Sequence, residues 1–256
     1  MDLKKRESTA ESARPARLGR QTEDGRLLEA PVPEPAVFVH TDPWRVLRIM
    51  GEFVAGFDEL ADLGPAVTMF GSARTPPDDP TYQQAVETAR LLGEAGFAII
   101  TGGGPGIMEA GNRGAVEAGA VSVGLGIELP YEQKFNDYVT QSLEFNYFFT
   151  RKTMFLKYAQ AYLIFPGGWG TMDEMMEALT LMQTDKIKNF PIILFGSDYW
   201  QGLLDFFRNP MLAGGKISPS DFDIFTVTDS PQEVVEVVVS SFRERERQRK
   251  GEVKKR

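Results

Sequence analysis

Cysteine is absent from the 256 residues, and histidine occurs once, as His40. A disulfide, a thiolate zinc site or a His-based metal centre therefore cannot be assembled from this chain. A lone histidine in a Pro-rich approach segment is a poor candidate for chemistry. Basic charge is also short: 28 Lys and Arg face 36 Asp and Glu, a net charge of −8. That balance argues against general nucleic-acid binding. Long apolar runs are missing too, since none reaches the roughly 20 residues of a membrane span. The charged N-terminal segment has no apolar stretch of the secretory kind. These absences lead to the expectation of a soluble, cytoplasmic protein with no nucleic-acid or membrane partner. What is plentiful is core material: 42% of the residues are hydrophobic, with 18 Phe among them.

Residues 1–35 are charged, Pro-containing and poor in aromatics, which predicts a disordered or loosely attached tail. Residues 243–256, RERERQRKGEVKKR, predict a charged C-terminal tail that extends a helix. Between them, residues 36–242 read as a single domain. Short apolar runs such as AVTMF (66–70), FAIIT (97–101), VSVGL (121–125), AYLIF (161–165) and PIILF (191–195) have the character of buried parallel strands. Helical patterns separate them, at about 42–60, 81–94, 107–117 and 147–158, and from Thr171 or Met172 to Thr184. Such alternation predicts an α/β fold, a Rossmann-like doubly wound parallel sheet with helices on both faces.

Ligands of such sheets bind beyond the carboxyl ends of the strands, near the point where strand order reverses. Three strand ends here carry unusual turns: GSAR (71–74), GGGPGIM (102–108) and PGGWGTMDE (166–174). The dinucleotide pattern G-x-G-x-x-G fails because Ile107 stands where its last glycine belongs, and no Walker A loop occurs. A smaller phosphate-bearing ligand, such as a mononucleotide, remains. A helix starting just after Gly167, Gly168 and Gly170 would aim free N–H groups and a positive dipole end at an anion. Asp173 and Glu174 then add negative charge that a phosphate cradle does not need. A carboxylate at that place suits a reaction in which positive charge develops on a sugar. Blander readings stay open. Glu174 could be a dipole stabiliser worth about 0.3–1 kcal/mol, Arg151 and Lys152 a solvated helix face, and Trp169 a cover for the turn. Met172, Met175, Met176 and Met182 read as core or interface filler.

In combination, GSAR, GGGPGIMEA (102–110), the Arg151-Lys152 pair in TRKTMF, and PGGWGTMDE resemble the Lonely Guy family. Its members include cytokinin riboside 5′-monophosphate phosphoribohydrolases, and many were once labelled lysine decarboxylases. The resemblance covers about Trp44 to Ser240, and the segments ELPYEQKFN and ISPSDFDIFTVTD are similar to the longer bacterial type. It implies hydrolysis of the N-glycosidic bond of an adenosine 5′-monophosphate, N6-substituted or not. The products would be the free base (a cytokinin or adenine) and ribose 5-phosphate, formed without cofactor or metal. It further implies a homodimer, or a hexamer built as a trimer of dimers. The Met-rich helix after the glycine turn is expected to share that interface. By the same resemblance Arg151 and Glu174 are catalytic. Substrate contacts fall to Gly71, Ser72, Gly103, Gly104, Gly106, Met108, Glu128, Lys152, Gly167, Gly168, Gly170, Thr171 and Asp173. Asp173 stands where many members carry Glu. Two other functions remain open: a non-catalytic nucleotide or cofactor carrier, and a broad-specificity nucleotide nucleosidase. A decarboxylase would need a pyridoxal phosphate lysine with a ring-nitrogen partner. Lys152 is the one lysine inside a motif, and no such partner is identifiable.

Overall fold

The computed structural model describes residues 22–28, 42–130 and 134–253; His40 lies outside these residues. The helices are α1 (Glu23–Leu27), α2 (Asp42–Glu59), α3 (Pro80–Glu94), α4 (Ile107–Glu117), α5 (Phe148–Tyr158), α6 (Trp169–Gln183), α7 (Ser197–Phe206) and α8 (Pro231–Val253). The strands are β1 (Ala66–Phe70), β2 (Ala98–Thr101), β3 (Ser122–Ile127), β4 (Gln141–Phe145), β5 (Ala159–Ile164), β6 (Ile192–Phe195) and β7 (Phe225–Thr228).

All seven strands are parallel, in the order β4-β3-β2-β1-β5-β6-β7. Every residue of β1 and β2 is buried, as expected for central strands covered on both faces. Side chains alternate across the sheet. Phe70, Ile100, Phe155, Tyr162 and Trp200 fill one layer, and Val67, Met69, Tyr82, Leu92, Phe165 and Phe195 fill the other. Local signals set the helix starts in places. Asp79 accepts from Thr81 N–H at 2.7 Å, with Pro80 opening α3. The sheet reverses direction of growth at β1, which pairs with β2 on one side and β5 on the other. The turns after β1, β2 and β5 therefore meet at one edge, beside the switch point.

Two expectations change. Helix α6 opens at Trp169, not at Thr171 or Met172, so the glycine turn runs directly into it. Residues 22–28, placed in the tail by composition, include the docked helix α1, whose Glu23 N–H donates to Glu128 Oε2 at 3.0 Å. Long-range polar contacts, invisible to composition, hold it there. At the other end α8 runs on past residue 243 as the helix extension expected there, and Arg245 Nη2 donates to Gln160 O at 2.6 Å.

In the Met-rich helix Met176 is exposed while the other methionines turn inward. Met175 is fully buried, while Met172, Leu179 and Met182 pack against the core partly buried. The exposed apolar stripe lies instead on α2, where Val46, Leu47, Met50, Val54 and Phe57 face outward.

Candidate active site

The glycine turn is built for close approach. A Cβ on Gly167 would overlap the Thr171 hydroxyl, so only glycine lets the turn fold back on the helix it starts. Gly168 is the N-cap residue and supplies no side-chain hydrogen bond. The first internal bond of α6 is Met172 N–H to Gly168 O at 3.0 Å, leaving the amides of residues 169–171 free to face a ligand. Nothing lies within 4 Å of a Cβ added at Gly168 or Gly170. Two contacts fix the turn from outside: Tyr199 OH donates to Gly167 O at 2.5 Å, and Ser72 N–H donates to Pro166 O at 2.9 Å. The second also ties the GSAR turn to the glycine turn. Gly106, with φ +69°, brings the third turn in, because any Cβ there would collide with Ser72 O.

One turn into α6, Glu174 is 4% exposed, and its Oε2 is buried with no hydrogen-bond donor. Burial pushes its pKa up to about 7, against the pull of Lys152 and Arg151; Asp173 and Glu177 add to the rise. Arg151, from α5, is half-buried, and its Nε is buried with no acceptor. Its guanidinium lies 5.0 Å from the Phe148 ring centre and 5.4 Å from that of Phe155, contacts worth on the order of 1–2 kcal/mol when desolvated. Burial lowers its pKa, and Glu174, Asp173 and Asp24 oppose that shift; a guanidinium nonetheless stays charged. A buried carboxylate oxygen and a buried guanidinium N–H, each without a partner, are costly unless a ligand completes them.

Lys152 plays a different part. Its Nζ lies 2.7 Å from Glu177 Oε2, 2.9 Å from Asp173 Oδ2 and 4.0 Å from Glu174 Oε1. It knits the acidic face of α6 to α5 and does not line the cavity.

That cavity, of about 740 Å³, opens at the carboxyl edge of the sheet. The structure gathers Gly71, Ser72, Gly103, Met108, Arg151, Gly168, Gly170, Thr171, Asp173 and Glu174 along its wall. Gly104, Gly106, Glu128, Lys152 and Gly167 lie behind or beside it. Gly104 gives its carbonyl to Asn136 Nδ2 at 2.9 Å, and Glu128 receives the Glu23 amide. Sequence reasoning did not single out Arg74, Lys134, Phe135, Glu144 and Phe148, which also line the cavity. The Phe135 ring lies against Gly103, Gly124 and Gly126, where any Cβ would strike it. The available signal was the aromatic spacing on either side of the Arg-Lys pair and the glycines of VSVGLGI. Trp169 also lines the cavity and is 92% exposed, so it flanks the turn without covering it.

Fold and site define a doubly wound α/β protein with a glycine turn that opens a helix and a buried carboxylate beside its switch point. Residues 108–238 match the family described as possible lysine decarboxylase, and the chain belongs to that family, the one that holds the Lonely Guy proteins. A probable cytokinin riboside 5′-monophosphate phosphoribohydrolase of Oryza sativa subsp. japonica is 28% identical over 160 residues, 61% of this chain and 75% of that protein. A cytokinin riboside 5′-monophosphate phosphoribohydrolase of Arabidopsis thaliana is 33% identical over 86 residues, 33% of this chain and 39% of that protein. Among solved structures, the molybdenum cofactor binding protein of Rippkaea orientalis matches with a TM-score of 0.51 at 21% identity, over 69% of this chain and 94% of that one. The molybdenum cofactor carrier protein of Chlamydomonas reinhardtii gives a TM-score of 0.50 at 17% identity, over 70% and 98%. These two likenesses are of fold.

The family's description would call for pyridoxal phosphate on a lysine amine. Lys152 does not fit that task. Burial works against its charge, but hydrogen bonds to Glu177 and Asp173 outweigh it and raise the pKa, whereas a Schiff-base lysine needs a free amine. Lys134, the lysine that lines the cavity, is exposed.

Proposed function

We propose that the protein hydrolyses the N-glycosidic bond of a nucleoside 5′-monophosphate, releasing the base and ribose 5-phosphate. The observation that carries this reading is the placement of Glu174, buried and short of a donor, one helical turn beyond the free amides of the glycine turn. The 5′-phosphate sits on those amides at the positive end of α6. The ribose then extends along the helix toward Glu174. As the C1′–N bond breaks, its electron pair leaves with the base and positive charge grows on the sugar. The Glu174 carboxylate stabilises that charge and takes the proton of the water whose oxygen bonds to C1′. The departing base nitrogen takes up one proton, so the reaction consumes one water. Arg151 supplies a fixed cation to the phosphate or the leaving base, and Asp173 accepts from ribose hydroxyls.

Phe135, Ile127, Leu129 and Phe148 give the cavity apolar walls. Together with the plant relatives' names, these walls support an adenine base with or without an N6 substituent as the preferred leaving group.

The test is base release, followed chromatographically, from AMP, N6-isopentenyl-AMP, GMP, CMP and adenosine. Release from a monophosphate and far less from adenosine is expected, because the phosphate positions the sugar. Tight binding of monophosphates with no base released from any of them would overturn the hydrolase reading. It would favour a carrier, as the Chlamydomonas neighbour is named.

A further inference from the structure

Helix α5 carries Arg151 and Lys152 but begins poorly by its own sequence. Its N-cap residue, Tyr147, makes no side-chain cap, and no acidic residue falls in the first turn. The positive end of the helix is nevertheless met by carboxylates from far away in the chain. Phe148 N–H donates to Asp24 Oδ2 at 3.0 Å. Thr150 Oγ1 donates to Glu52 Oε2 at 2.7 Å, and Asn146 N–H donates to Glu52 Oε1 at 2.9 Å. Both carboxylates lie outside residues 108–238, the part that matches the family.

Asp24 is held where it is by its own helix. Thr22 Oγ1 accepts from Gly25 N–H at 3.1 Å and caps α1. Next to Asp24, the Glu23 carboxylate receives Arg26 Nη1 at 2.6 Å, Arg48 Nη2 at 3.1 Å and Tyr147 OH at 3.3 Å. The Glu23 amide is bound to Glu128. So α1 spans from the end of β3 to the start of α5, and sets one carboxylate on a single helical amide. That amide belongs to Phe148, whose ring lines the cavity and carries the guanidinium of Arg151. Asp24 and Arg151 also attract each other through space.

We propose that Asp24 is a positioning residue for Arg151. It caps α5 from outside that helix and so fixes the Phe148 ring and the guanidinium stacked on it. The inference rests on the reading above for what Arg151 does, but the order of α5 is testable without it. Losing a capping acceptor frays the first turn of a helix by a factor of about 5–10, and Phe148 is in that turn.

The experiment uses the full chain as Asp24→Ala, Asp24→Asn, Arg151→Ala and the Asp24→Ala/Arg151→Ala double variant. Hydrogen exchange of the peptide covering Phe148–Lys152 should speed up about 5–10-fold in Asp24→Ala, with sheet peptides unchanged. Asp24→Asn keeps an acceptor and should recover most of that protection. With AMP, kcat should fall by about the same factor and KM should move less. In the Arg151→Ala background the further loss should be under about twofold, as for residues that act as one unit. Unchanged exchange at Phe148–Lys152 would overturn the proposal. So would a full additive loss in the double variant, or a gain in AMP turnover or affinity, which would make Asp24 a plug. If the wild type released no base, the proposed reaction would fail while the exchange arm still decided the role of Asp24.

Discussion

Glu174 sits where function and stability pull in opposite directions. A carboxyl moved from its ordinary value of 4.5 to about 7 is held against ionisation by roughly 3 kcal/mol. The folded state therefore binds a proton that the unfolded chain releases between those two values. Stability from this group is fully present below about pH 4.5 and is lost as pH rises through 7. Glu174→Gln, which cannot ionise, should melt progressively higher than the wild type as the buffer moves from pH 5 to pH 8. Its kcat should fall by about 100-fold or more, the scale for one preorganised electrostatic or acid–base group. AMP affinity should change much less. Wild-type turnover by this variant would remove Glu174 from the mechanism. Lys152 gives a second test, because its charge pulls the Glu174 pKa down. Lys152→Met should shift the acid limb of the kcat profile to higher pH. A limb that stays in place, or moves lower, would show that another group titrates there.

At the scale of elements, the two ends of the described chain do different work. Helix α1 touches the site through Asp24 and Glu128, whereas the end of α8 touches β5 through Arg245 and Gln160. Deleting residues 1–28 should reduce turnover by more than its small effect on Tm would suggest. Truncation after Phe242 should do the reverse. It removes a hydrogen bond from a charged donor, worth about 1.5–3 kcal/mol, which corresponds to a fall in Tm of several degrees. Turnover per folded molecule should hold. Thermal melts and steady-state rates on both truncations check the pair, and identical profiles would contradict it.

For the molecule as a whole, the exposed stripe on α2 is the feature that a solitary chain explains least. Val54 is 67% exposed and Met50 57%, in line with Val46, Leu47 and Phe57 along the helix. Helix α2 packs on α5, where Phe148 and Phe149 are also exposed. A second copy is the simplest occupant, since a two-fold axis lets one apolar helix face cover its own copy. Light scattering should give at least a dimer at micromolar concentration. Val54→Asp with Met50→Asp should dissociate it, and a wild-type monomer would dismiss the idea.

Much of this architecture was legible in the residues. Short apolar runs bounded by glycine announced β1 and β2 within a residue of their ends, because central parallel strands are buried on both faces and read as continuous hydrophobics. The three turns and Glu174 were legible for a related reason: close backbone approach demands glycine, and an acidic residue past a glycine turn is locally unexpected; Arg151 stood out only through the family resemblance. Local chemistry of that kind is written in adjacent positions. The burial of Glu174 was not, since it depends on the layers above and below α6. Nor was the tying of Lys152 to Asp173 and Glu177, which depends on where the fold sets α5 relative to α6. Composition placed Asp24 in a tail, and only the long-range bonds of α1 to Glu128, Arg48 and Phe148 bring it to the cavity. Those bonds join residues 25, 105 and 124 positions apart, so tertiary structure alone decided them.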